Sequence, residues 1–293
     1  MALVGTYVAL SKPLAAVIPV FALGFLRFAI GAIAMLPWTF PRPAEPSLSH
    51  TEMRLLFLLS FFGNFLFSIC MLTGITLTTA TAAGVTLATL PAVVALLSHW
   101  LLREPLTARV WIAIAFAVFG IVLLQFAKPT DAATDSTASG MAMVGNLLMF
   151  AAVVCEAIYV IIAKRLSATR TPLRVSALIN LWGLALMAPL GIWQLTDFDF
   201  DVVTVDLGLL LIFYALAASL FAVWMWVAGL KNVAASRAGV FTVAMPIAAT
   251  VIGVFFLGET FSWLQGAALA CAGVGIALIG LEPRPSNAQG PAG

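Results

Sequence analysis

ATAAGVTLATLP, residues 80–91, and ASRAGVFTVAMP, residues 235–246, share the pattern A-x-x-A-G-V-x-x-x-x-x-P. A glutamate follows each proline by thirteen residues, Glu104 and Glu259, and a glycine follows by twenty-nine, Gly120 and Gly275. The shift of 155 also carries Gly74 to Gly229. Nearer the start, TYVALSK (Thr6–Lys12) answers IYVIIAK (Ile158–Lys164) at a shift of 152, which also takes Pro37 to Pro189. One such match is chance, but this many at nearly one shift is an internal duplication.

Composition tells which solvent the duplicated unit meets. The chain is 63% apolar and 9% charged, against about 25% charged in a soluble domain. Twelve acids and fourteen bases cannot cover 293 residues, so most of the surface faces lipid. This excludes an ordinary cytosolic enzyme, a secreted domain and a disordered chain. The net charge of +2 gives no footing for a nucleic-acid partner. Cys70, Cys155 and Cys271 lie in apolar runs and form no disulfide framework. Ten apolar stretches stand out, near 1–16, 20–38, 54–73, 78–101, 108–126, 142–163, 175–195, 207–229, 238–257 and 264–281. They are apolar all round rather than alternating, which predicts helices and not the strands of a membrane barrel. The expected fold is an all-α membrane protein of ten transmembrane helices.

Orientation follows from the basic residues between the stretches. With the N-terminus inside, Arg42, Arg54, Arg103, Arg109, Lys164, Arg165, Arg170, Arg174, Lys231, Arg237 and Arg284 are cytoplasmic, while Lys12 and Lys128 lie outside. The expected halves are 1–127 and 141–281, joined by a polar extracytoplasmic linker, 128–140, and followed by a cytoplasmic tail, 282–293. Five helices per half is an odd number, so the second half enters the membrane upside down. Inverted repeats of this kind characterise secondary transporters.

Polar groups deep in these stretches are the candidates for function, because burying charge in hydrocarbon is costly. Arg27 in the second stretch offers a guanidinium for a carboxylate, and Glu156 in the sixth offers a partner for an ammonium group or a proton. Tyr159 lies one helical turn beyond Glu156, and Tyr7 is its repeat counterpart. Asn64 and its counterpart Ser219 fall at mid-stretch, where a site between repeats is expected; an interhelical hydrogen bond is the plainer alternative. Of Trp224 and Trp226, at most one faces a cavity, and Trp224 is the candidate. Gly84 with Pro91 and Gly239 with Pro246 are seven apart, hence on one helix face, and are candidate hinges. Lys12 near a helix end is expected to snorkel. Glu104 and Glu259, each just before a helix, are expected to be helix-dipole partners. Trp38, Trp100, Trp111, Trp193 and Trp263 read as interfacial belts. His50 and His99 form no ligand cluster, and no metal, nucleotide or catalytic signature appears, so no cofactor is expected.

GTYVALSK (Gly5–Lys12), LRF (Leu26–Phe28) and the twice-used A-x-x-A-G-V-x-x-x-x-x-P with its trailing glutamate resemble the EamA type of the drug/metabolite transporter superfamily. The resemblance spans nearly the whole chain. It departs in the first stretch, where Val4 stands in place of a common Trp, and in the sixth, where Glu156 stands close to another. It implies export of small metabolites, often amino acids and among them aromatic ones, across the bacterial inner membrane. Export of drug-like organic cations, with Glu156 as cation partner, is the alternative it leaves open. An intramembrane enzyme needs a nucleophile–base or metal constellation, and a channel needs rings of pore-lining groups; the sequence offers neither.

Overall fold

The computed structural model describes residues 2–40, 48–102, 107–126, 136–166, 171–225 and 244–280. Among these residues all regular structure is helical. The helices are α1 (Ala2–Val17), α2 (Val20–Ala34), α3 (His50–Leu77), α4 (Ala80–Leu87 continued by Leu90–Leu102) and α5 (Ala108–Phe126). They continue with α6 (Ser136–Leu166), α7 (Pro172–Leu195), α8 (Val205–Met225), α9 (Ala244–Phe255) and α10 (Trp263–Gly280). Every expected apolar stretch therefore holds a helix. Five are long and apolar enough to cross a bilayer by themselves: α3, Ala80–Leu97 of α4, Gly140–Ala163 of α6, α7 and α8. The other apolar helices, among them α1, α2 and α9 with 16, 15 and 12 residues, are shorter than the roughly 20 residues of a full span. α6 starts at Ser136, inside the expected linker. Thr137, Ala138 and Ser139 hold no proline, so a growing helix passes through them.

Helix starts are fixed by side chains that satisfy the first free N–H groups. Ser49 and Glu52 form a reciprocal capping box on α3, at 3.2 and 2.9 Å. Ser262 and Gln265 do the same for α10. Two starts are capped from a distant helix instead. Gln194 Oε1, at the end of α7, accepts from the N–H groups of Phe21 and Ala22 at the start of α2. Glu259, in the turn after α9, accepts from the N–H groups of Ala80 and Thr81 and from the Thr81 hydroxyl at the start of α4. Glu259 is thus a helix-dipole partner, but of α4 rather than of the next helix. Lys12 does not snorkel, because its Nζ donates to Glu259 Oε1 at 2.6 Å. Burial pushes the Glu259 carboxyl up, yet the Lys12 ammonium and the two backbone donors outweigh it and hold the group below its ordinary value.

α3 and α8 each carry a π-helical turn, at Phe61–Leu66 and Ala217–Phe221. The shift of 155 superposes them almost residue for residue. α7 ties both in place. Its Ile179 carbonyl accepts from Ser60 Oγ and Asn64 Nδ2, while its own Ser176 and Asn180 side chains donate to the Ser219 carbonyl.

The most extensive packing joins α3 to α6, α5 to α10, α2 to α7, α4 to α6, α1 to α9 and α4 to α9. α5 and α10 approach through glycine: a Cβ on Gly120 would meet the Ala268 carbonyl oxygen at 3.1 Å, and one on Gly275 would meet that of Ala113 at 3.0 Å. The central core gathers Tyr7, Leu23, Met71, Met149, Tyr214 and Met245 from six helices. Large apolar side chains such as Ile33, Leu209 and Phe255 face outward, as lipid-facing positions do. Trp100, Trp111, Trp193 and Trp263 are exposed near helix ends, where interfacial tryptophans belong.

Candidate functional site

Arg27 sits at the eighth position of α2 and is 3% exposed. A guanidinium there needs partners, since an isolated buried charge is prohibitively costly. One nitrogen donates to Ser68 Oγ of α3 at 2.9 Å. The cation also lies over the Phe28 ring, 4.7 Å from its centroid, and 5.9 Å from the centroid of Tyr214 on α8. Tyr214 meets Tyr7 of α1 edge to face, with centroids 5.9 Å apart.

Glu156 of α6 completes the cluster. It lies near enough for Arg27, Tyr7 and Tyr159 to sense its charge. Arg27 and Glu156 nonetheless form no direct ion pair in the structure. Glu156 and Tyr159 are half-buried although both sit deep within an apolar helix. The Tyr159 ring packs against the π-turn of α3: a Cβ on Gly63 would overlap its Cδ2 and lie 2.7 Å from its Cγ. Two buried donors are left over. Arg27 Nε has no acceptor, and the Tyr214 hydroxyl, beside the guanidinium, makes no well-formed hydrogen bond. Leftover donors inside a protein call for an explanation.

The structure thus brings Tyr7, Arg27, Glu156 and Tyr159 together from α1, α2 and α6. It adds Ser68 and Tyr214, which the sequence reading passed over. The chain has only three tyrosines: Tyr7 and Tyr214 touch edge to face, and Tyr159 lies within electrostatic reach of Tyr7 and Glu156. That scarcity was the available signal, because none of the three lies in an interfacial belt.

The other candidates lie elsewhere. Asn64 is 7% exposed and its amide bonds the α7 backbone. Ser219 packs against Gly31 of α2, with its hydroxyl unpartnered. Trp224 is 47% exposed near the described end of α8. α4 breaks at Ala88–Thr89, between Gly84 and Pro91, where Pro91 has no N–H to continue the ladder. Gly84 also serves close packing, since a Cβ there would lie 2.9 Å from Ala249 Cβ and 3.2 Å from the Pro246 carbonyl oxygen. Pro246 is buried in the first turn of α9, while Gly239 and Glu104 lie outside the described residues.

Apolar helices around a charged, tyrosine-lined cluster define a multi-pass membrane protein. The chain belongs to the EamA-like transporter family, whose profile matches residues 1–126 and 143–281, and it is a membrane transporter. It is 32% identical to "Uncharacterized transporter YetK" of Bacillus subtilis (strain 168), over 98% of this chain and 86% of that one. It is 29% identical to "Uncharacterized transporter YwfM" of the same organism, over 90% of this chain and 85% of the relative. A protein of known crystal structure shares the fold with a TM-score of 0.60 and 20% identity, covering 94% of this chain and 95% of its own.

Proposed function

We propose that this protein is a secondary transporter that exports amino acids, aromatic ones among them, or related small zwitterions by alternating access. The observation that carries this reading is the pairing of one buried arginine and one glutamate, close but not touching, among all three tyrosines. A zwitterion matches that pair in both signs and leaves the site neutral. Its carboxylate takes the free Arg27 Nε and Tyr214 hydroxyl donors, and its ammonium group takes the Glu156 carboxylate. The faces of Tyr7, Tyr159 and Tyr214 receive the side chain.

The moving parts follow from a ten-span bundle of two inverted halves, 1–127 and 141–281, in the bacterial inner membrane with both termini cytoplasmic. Packing supports this arrangement. The α1–α9 contact is answered by α6–α4, α3–α6 by α8–α1, and α2–α8 by α7–α3, while α2–α7, α4–α9 and α5–α10 map onto themselves. α1–α3, α4–α5 and α4–α10 have no answer of similar extent among the described residues. The break of α4 before Pro91 and the start of α9 around its counterpart Pro246 act as hinges. The Lys12–Glu259–α4 junction is the extracytoplasmic latch that must part for release. A second reading, export of organic cations, draws on the absence of any contact partner for Glu156 among the described residues.

Counterflow in proteoliposomes separates the two. Trans-stimulated uptake of radiolabelled tyrosine or phenylalanine, competed by other amino acids and not by quaternary ammonium compounds, is the expected result. Stimulation by organic cations alone replaces the first reading with the second.

A further inference from the structure

Outside the central cluster, one cavity carries both charge and apolar surface. It lies between α3 and α7, measures about 420 Å³ and is lined by His50, Met53, Arg54, Phe57, Leu58 and Trp182. Five of these residues, at 50, 53, 54, 57 and 58, follow the i, i+3, i+4, i+7, i+8 spacing of a single helix face. Polarity is graded along that face. His50 and Arg54 are exposed in the first turns of α3, and Phe57 lies about 10 Å beyond His50 and about 5 Å beyond Arg54 along the axis at ~1.5 Å per residue. The floor is aromatic: Phe57 packs edge to face on Trp182, with centroids 5.3 Å apart at 82°. Arg54 has no acidic partner among the described residues. Glu52 lies on the opposite side of the helix, and its carboxylate is turned back onto the Ser49 N–H at 2.9 Å.

We propose that this groove binds one anionic phospholipid, its phosphate at Arg54 and His50 and an acyl chain along Met53, Phe57, Leu58 and Trp182. A cationic mouth over an aromatic floor along one helix face suits an amphiphile lying parallel to the helices. Basic pockets between membrane helices on the cytoplasmic side hold acidic headgroups on these terms. The choice of leaflet rests on the orientation proposed above, whereas the choice of lipid charge does not. A bound lipid here would brace α3 against α7, the helix that also holds both π-turns.

Tryptophan quenching by brominated lipids tests this directly. The protein is placed in nanodiscs containing brominated phosphatidylglycerol or brominated phosphatidylcholine. The Trp182 contribution is taken as the difference from Trp182→Phe, since the chain has eight tryptophans. The anionic lipid is expected to quench Trp182 at a several-fold lower mole fraction than the zwitterionic one. Arg54→Gln should weaken that preference about fivefold, and Arg54→Lys should largely retain it. Equal quenching by the two lipids, or a preference untouched by Arg54→Gln, overturns the proposal. If Arg54→Gln instead raises the transport KM and leaves the lipid preference alone, the groove is a solute entrance and the lipid reading is wrong. Failure of transport itself in every protein would strike the exporter reading and leave the quenching result standing.

Discussion

The Tyr214 hydroxyl is a buried donor without a matched acceptor, a condition that costs about 1–3 kcal/mol. Tyr214→Phe keeps both ring contacts and removes that penalty. Thermal unfolding in detergent should therefore show a variant as stable as wild type or more so, by about 1 kcal/mol. The KM for an amino-acid substrate should nonetheless rise about tenfold, the loss expected of one charge-assisted hydrogen bond. A destabilised variant with unchanged KM would make the hydroxyl structural. Glu156→Gln preserves shape and removes charge, so counterflow of zwitterions should fall at least tenfold while the protein stays folded; wild-type counterflow in the folded variant removes Glu156 from the site. Gly63→Ala would push a methyl group into the Tyr159 ring, and overpacking of this kind costs about 1–3 kcal/mol. Both stability and transport should drop, and a neutral result would mean the ring is free to move. At this scale the sequence was legible wherever charge stood in hydrocarbon, as at Arg27 and Glu156, because the penalty itself is the signal. Tyr214 was not legible, since a tyrosine carries no such penalty and its role depends on which helix faces it.

Among the elements, the turn after α9 illustrates what local reading can and cannot reach. A glutamate just before a helix announces a dipole partner, and Glu259 is one. Which helix it serves is a tertiary fact: α4 lies more than 170 residues away in sequence. The π-turns of α3 and α8 were equally invisible, because an extra residue in a helical turn leaves hydrophobic periodicity nearly intact. The Glu259 junction has a definite pH signature. Its folded-state value is depressed, so the stabilisation is present in full above the ordinary value of 4.5 and fades as pH falls through the lower folded value. Glu259→Gln should lower the unfolding midpoint at pH 7. The gap between variant and wild type should hold steady from pH 7 to about pH 5 and close in more acid solution. A gap that closes near neutrality would show that the carboxylate is not held by Lys12 and the α4 start. The same variant weakens the proposed latch, so extracytoplasmic thiol reagents should reach a cysteine placed at Thr81 faster than in the protein with Glu259 intact.

For the molecule as a whole, residue spacing announced the duplication before any contact was known, and charge set an expected topology that labelling has to test. The reciprocal approach of Gly120 to Ala268 and Gly275 to Ala113 repeats the shift of 155 in three dimensions. What the sequence could not reveal was the exchange of partners, in which α1 packs on α9 and α6 on α4, because interhelical choice depends on shape along whole faces. The proposed inversion of the halves makes a strict demand on sidedness. Under the proposed orientation eleven bases flank the cytoplasmic ends and two the other side, and the inversion requires corresponding loops of the two halves to face opposite compartments. Thr51, at the start of α3, and Asp199, between α7 and α8, are both exposed and suit single-cysteine labelling once Cys70, Cys155 and Cys271 are replaced. With a membrane-impermeant maleimide on intact cells, cysteine at 199 should react and cysteine at 51 should not. In inside-out vesicles the two should trade behaviour. Labelling of both from one side contradicts the odd number of spans between these positions and with it the inverted halves. Labelling with the two sides reversed keeps the inversion but overturns the orientation, and it moves Arg54 and its groove to the outer leaflet.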